Sequence, residues 1–213
     1  GYCDPLEVQK GALPNDPESR PDYPLLAWGD NGAKEMLVPP VADFSRLATG
    51  QNHSLGLNFD GTITAWAGFN EYGQITVPPG LNQVVGVAAG EDFWLDESSH
   101  SLALKTDGTV VNWGFNENDY HTVPVGLVDV VEVSASRSHN LALKSDGIVV
   151  AWGNNDFGQC NVPANLQGVV AVEAGGFYSL ALKSHGTVVT WGSNFGGEKW
   201  IPASVPTGLR DVV

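Results

Sequence analysis

The chain has 213 residues, 24 of them acidic and 10 basic, for a formal net charge of −14 at neutral pH. A field of that sign repels phosphate backbones and disfavours nucleic acid as a direct partner, and no apolar run approaches the ~18 residues that a membrane-spanning helix needs. With 42% apolar residues, the 26 Gly and 13 Pro read as turn punctuation in a loop-rich β chain long enough to bury a core, not as disorder.

In chain order, residues 1–10 (GYCDPLEVQK) show no basic or apolar leader pattern and no initiator Met, as expected of a processed or trimmed chain. Residues 1–24 form a Pro-rich segment whose stretch 6–10 can supply a degenerate strand to a first blade. From residue 25 to 213 a repeat takes over, marked by Trp28, Trp66, Trp113, Trp152 and Trp191 at spacings of 38, 47, 39 and 39 residues. A period of about 40 residues dictates a repeat architecture. Its clearest copies are residues 130–161 (VVEVSASRSHNLALKSDGIVVAWGNNDFGQCN) and 169–197 (VVAVEAGGFYSLALKSHGTVVTWGSNFGG).

Each copy predicts four short strands. The first (84–90, 130–136, 169–175) is almost continuously apolar, as expected of a strand buried on both faces. The second alternates, with Leu102 and Leu104 on one face and Ser101 and Ala103 on the other. Asp60-Gly61, Asp107-Gly108 and Asp146-Gly147, with His185-Gly186 as a variant, predict type I′ hairpin turns into the Trp-bearing third strand. A Val-Pro segment follows; Pro78, Pro124 and Pro163 cannot donate to a ladder, which predicts an outermost edge strand and places the Val-rich strand innermost. The fold class is therefore all-β: a β-propeller of four-stranded antiparallel blades, about five of them present. Residues 25–29 and 36–39 belong to the first blade, and 209–213 match the start of another first strand, so a closed five-bladed ring and a part of a longer propeller both remain open.

The sentence GxxHSLALKxDGTVVxWGxNxxGQxxVP, repeated over about four fifths of the chain, resembles the repeat of the regulator of chromosome condensation superfamily in its bacterial secreted style. The resemblance implies a propeller, usually of seven blades. It implies little about activity, because the family spans a nucleotide exchange factor, a plant UV-B photoreceptor and a β-lactamase inhibitor. The inhibitor's repeated aromatics just before the second strand correspond to Asn52, Ser99, Ser138 and Phe177, only one of them aromatic. The photoreceptor's Gly-Trp-Arg-His-Thr segments and the exchange factor's wedge have no counterpart here.

Departures from the repeat fall on one side, among the loops joining first to second and third to fourth strands. Residues 91–99 (EDFWLDESS) hold about eight extra residues and carry Asp92, Phe93, Trp94, Asp96 and Glu97. A shorter insertion near residues 198–200 carries Trp200. The same side should present Phe69, Tyr72, Phe115, Tyr120, Phe157, Phe177 and Phe195. Loops beyond the structural minimum commonly carry function, and aromatic anchors surrounded by charge suit a protein or glycan surface. The competing reading is that these rings plug the loops onto the blades below.

Other chemistry finds less support. His53, His100 and His139 recur one per blade, with Tyr178 in the fourth copy, which suits structural hydrogen bonding better than a shared metal. The Asn/Asp loops at 116–119 and 154–156 lack calcium-loop spacing and suit turn satisfaction. Cys3 and Cys160 are too few for a disulfide scaffold or a zinc site; Cys160 stands where the second repeat has Ile75, and a Cys3–Cys160 bridge remains an option. No GxSxG, HExxH or P-loop motif occurs, and no catalytic residue, metal ligand or cofactor is assigned. The expectation is a non-enzymatic propeller, secreted or displayed at a bacterial surface, recognising a protein partner through its aromatic and acidic loop face. A carbohydrate-binding propeller and an architectural module of a larger surface protein are the alternatives.

Overall fold

In this computed structural model the structure describes residue 39 and residues 44–50, 52–66, 70–90, 99–116, 119–137, 139–196 and 199–202. The expected strands at 6–10, 25–29, 36–38 and 209–213 lie outside the described residues, as does the Pro-rich segment 1–24.

The described residues form thirteen strands and four antiparallel sheets in strict chain order. The first sheet comprises β1 (Phe44–Thr49), β2 (Ser54–Asn58) and β3 (Ile63–Trp66); the second, β4 (Val84–Ala89), β5 (His100–Lys105) and β6 (Val110–Gly114). The third comprises β7 (Val130–Ala135), β8 (His139–Lys144) and β9 (Val149–Gly153); the fourth, β10 (Val169–Ala174), β11 (Tyr178–Lys183), β12 (Val188–Gly196) and β13 (Lys199–Pro202). The leading strands β1, β4, β7 and β10 lie beside one another in succession, the innermost position that the Val-rich pattern predicts.

Three apolar clusters fill the seams between consecutive sheets, and each is built around one repeat Trp. Trp113 packs with Leu55, Leu57 and Ala103; Trp152 with Leu102, Leu104 and Ala142; Trp191 with Leu141, Leu143 and Ala181. Each ring thus lies against the leucines of the preceding sheet's second strand, which is why the Trp period and the Leu-x-Leu period run together. Truncating such a buried ring costs about 3–5 kcal/mol. In the first sheet Trp66 stacks on Phe44, with ring centroids 5.4 Å apart.

Three local features differ from the sequence expectation. The leading strands are not buried on both faces: a register shift at the second residue of each turns Val85, Val131 and Val170 outward, 42%, 55% and 52% exposed. A bulge inserts one residue without a cross-strand partner, so an all-Val run carries an exposed side chain.

The Asp-Gly turns are three-residue loops, not type I′ turns. Only Gly61, Gly108, Gly147 and Gly186 take positive φ, from 76° to 80°. Gly61 N–H donates to the Asn58 carbonyl, and Asn58 N–H to Thr62, as in a turn closed by a left-handed glycine bulge. The preceding Asp keeps ordinary φ because its carboxylate is engaged: Thr62 donates both its amide and its hydroxyl to Asp60, and Thr109 does the same to Asp107. The Thr109 hydroxyl and then its amide hold the Asp107 carboxyl down to about 2.

The Val-Pro segments of the first three sheets do not join the ladder. Asn70, Asn116 and Asn155 each accept from the amide five residues on, and their Nδ2 groups donate to Thr76, Thr122 and Asn161. Pro78, Pro124 and Pro163 then accept from Leu81, Leu127 and Leu166 across a tight turn. Backbone groups that a fourth strand would pair are thus satisfied locally, while Val77 and Leu81 cap the seam. In the fourth sheet β12 runs on to Gly196 and pairs with β13, a true fourth strand.

Candidate binding face

Loops at one end of the sheets meet across the seams. Tyr72, after β3, contacts Phe115, after β6, edge to face at 4.9 Å. Phe157, after β9, contacts Phe177, before β11, in the same geometry at 4.8 Å. The second pair joins a third-to-fourth loop to a first-to-second loop, so both loop types share one end, as strand alternation requires. The Arg137 guanidinium lies 5.5 Å above the Phe177 ring, extending this pair to the loop before β8. These four rings are half-buried. Tyr120 is exposed.

The other candidates divide in two. Phe69, Asp92, Phe93, Trp94, Asp96 and Glu97 lie outside the described residues. Phe195 and Trp200 are placed by their backbones alone, directly opposite each other in the β12–β13 pair. Arg137 was not singled out by sequence reasoning; its signal is its place in the loop immediately before a second strand, next to the aromatic position of the following copy.

Beneath this end lies a polar network that joins neighbouring sheets. His53 reaches Ser101 at 3.0 Å and His139 reaches Ser179 at 2.9 Å. Those hydroxyls donate to the carbonyls of Gln74 and Gln159, so each can only accept from the histidine, which fixes the proton on Nε2. The same two carbonyls accept Nε1–H of Trp113 and Trp191. Each clasp therefore ties a histidine, a serine, a loop carbonyl and a repeat Trp across one seam, bearing out the structural role expected of these histidines.

The seam between the second and third sheets is built differently. His100 Nε2 lies 2.6 Å from Asn140 Oδ1, and Asn140 Nδ2 donates to His121 Nδ1 at 3.3 Å. His121, where other copies have Ile75 and Cys160, turns inward and stacks on His100. Tyr120 takes the place of Gln74 and Gln159 and turns outward. Trp152 Nε1 is left buried without a partner. Burial chiefly, then repulsion from His100, holds the His53 and His139 imidazoles down to about 4; the same causes with His139 hold His121 to about 2. Cys160 is a free thiol that donates to the Asn154 carbonyl, and burial pushes it up to about 11. Cys3 lies outside the described residues. No group of three or more metal-ligating side chains is gathered among the described residues.

A propeller seam closed by a repeat Trp, with loops gathered at one end, defines the class. Residues 130–159 and 169–198 match the Regulator of chromosome condensation (RCC1) repeat, and the chain carries an RCC1-like β-propeller repeat. Among solved structures, Prp20p from Saccharomyces cerevisiae is 22% identical with a TM-score of 0.59, over 73% of this chain and 47% of Prp20p. The ectodomain of the receptor kinase CR4 from Physcomitrella patens is 22% identical with a TM-score of 0.58, over 79% of this chain and 42% of its own. Human WBSCR16 is 22% identical with a TM-score of 0.56, over 78% of this chain and 50% of its own. The chain thus spans about half the length of these relatives, and the likeness establishes the fold. Prp20p is characterised by binding to Gsp1p and histones, and yeast RCC1 (Prp20) has also been solved bound to Kap60.

Proposed function

We propose that this protein is a non-enzymatic interaction propeller, acting outside the cell, that recognises a protein partner through its aromatic loop end. The observation that carries the reading is the run of Tyr72–Phe115, then Arg137 over Phe177 and Phe157, along one end of consecutive sheets. Half-buried aromatics fixed by neighbours, with an arginine among them, offer contact area at little entropic cost, the composition of interface anchors. The acidic insertion at 91–99, with Trp94 as anchor and Asp92, Asp96 and Glu97 as rim, and Trp200 extend the surface in this reading. The protein partners of Prp20p, which shares the fold, support protein as the ligand class.

The experiment is quantitative binding of partners isolated with the immobilised protein, comparing wild type with Phe177→Ala and Arg137→Ala. Loss of binding with an unchanged unfolding midpoint supports the reading. Binding that survives both substitutions but is competed by simple sugars and lost in Trp94→Ala replaces it with carbohydrate recognition.

A further inference from the structure

On the innermost edge of the sheets, side chains of one strand cap the backbone of the next. Glu132 Oε2 accepts from the Val172 amide at 3.2 Å, and Ser134 Oγ from the Ala174 amide at 3.0 Å. Strand register makes Gly86 the counterpart of Glu132, opposite Leu104 and Leu143, and Ala88 the counterpart of Ser134, opposite Leu102 and Leu141. Gly86 and Ala88 carry no side-chain acceptor, so β4 cannot cap Val133 and Ala135 of β7 as β7 caps β10. In place of the missing carboxylate there is a groove of about 520 Å³ over Gly86, flanked by Arg46 of β1 and Glu132 of β7, with Val85 and Val131 on its walls.

The fold does not require this gap. Gly86 lies outside the left-handed φ region, and a Cβ there would come no nearer than 3.4 Å to Leu104, an ordinary contact. β1 and β7 lie on either side of β4, so the groove is an internal feature of the strand row and not an end of it. Its chemistry specifies an occupant: a carboxylate to fill the place of Glu132 one strand on, a cation to face Glu132, and aliphatic carbon for the valines.

We infer that this groove binds a short peptide-like zwitterion, a free amino acid or dipeptide with aliphatic side chains. Its carboxylate lies between Arg46 and the Val133 amide, a charge-assisted arrangement, and its ammonium faces Glu132. An excess of acidic residues over the whole chain makes Arg46 the local feature that admits an anion at all.

Isothermal titration of the full chain with L-leucyl-L-leucine, against N-acetyl-L-leucyl-L-leucinamide, tests this. Saturable binding of the dipeptide is expected, weakened at least about tenfold in the blocked compound, in Arg46→Ala and in Gly86→Glu, which supplies the missing carboxylate from the protein itself. Gly86→Ala, with an unfolding midpoint equal to wild type, checks that the position tolerates a side chain. Absence of saturable binding up to about 20 mM, or equal affinity for the blocked compound and for Arg46→Ala, overturns the inference.

Discussion

His100 and His121 lie ring on ring, centroids 3.6 Å apart and planes 18° from parallel, in the seam between the second and third sheets. Both are buried, and His121 Nδ1 already accepts from Asn140, so a proton there would set two donors against each other beside a second imidazole.

Stability should therefore fall on acidification. His53, His121 and His139 have folded-state values below the ordinary 6.5, so the unfolded chain takes up protons first. Above about pH 6.5 all are neutral in both states and contribute no slope. Below it each lowers stability by about 1.4 kcal/mol per pH unit, until its own folded value is reached near 4 for His53 and His139. Urea midpoints at pH 7, 6 and 5 measure this, and His121→Ile, which restores the residue type of Ile75, should reduce the slope.

The three seam tryptophans should respond unequally to a change that keeps a ring and removes only the indole N–H. Trp113 and Trp191 donate to the Gln74 and Gln159 carbonyls, whereas Trp152 Nε1 has no partner. Trp152→Phe should thus cost about 1 kcal/mol less than Trp113→Phe or Trp191→Phe, read from denaturant midpoints.

Two glycines in the second sheet should separate cleanly. Gly108 has φ 76° and a Cβ there would lie 3.0 Å from the Asp129 amide nitrogen, so Gly108→Ala should destabilise by at least about 1 kcal/mol. Gly86→Ala should be close to neutral. Paired thermal melts decide it, and equal losses would remove the argument that Gly86 is not a structural requirement.

The Cys160 thiol, raised by burial and donating to Asn154, should react slowly with an aromatic disulfide reagent at neutral pH and quickly once urea unfolds the chain. Fast reaction of the folded protein at Cys160, resolved by peptide mapping, would show that the loop at 154–160 opens readily.

Much of the fold was legible because the period in Trp is the period of the seams: each ring sits on the preceding sheet's leucines, and that packing is the repeat. What was not legible rests on single atoms within otherwise regular copies. A bulge exposes Val85, Val131 and Val170 without altering the apolar run. The bracket of Asn70 keeps the Val-Pro segment out of the ladder although Val and Pro read as an edge strand. The histidine seam shows only as three simultaneous departures, at Tyr120, His121 and Asn140. At the candidate face, sequence supplied the aromatic positions and their common end, but the pairing of Phe157 with Phe177 under Arg137 depends on how neighbouring sheets sit together.

The most direct measurement compares partner binding after substitutions at the two ends of the sheets. Phe177→Ala with Arg137→Ala disrupts the aromatic loop end; Val125→Asp with Ile148→Asp alters the opposite end, where both side chains are exposed. The account predicts at least about a tenfold loss of affinity for the first pair and none for the second, with unchanged unfolding midpoints. Undiminished binding in the first pair and loss in the second would place recognition at the opposite end and contradict the account.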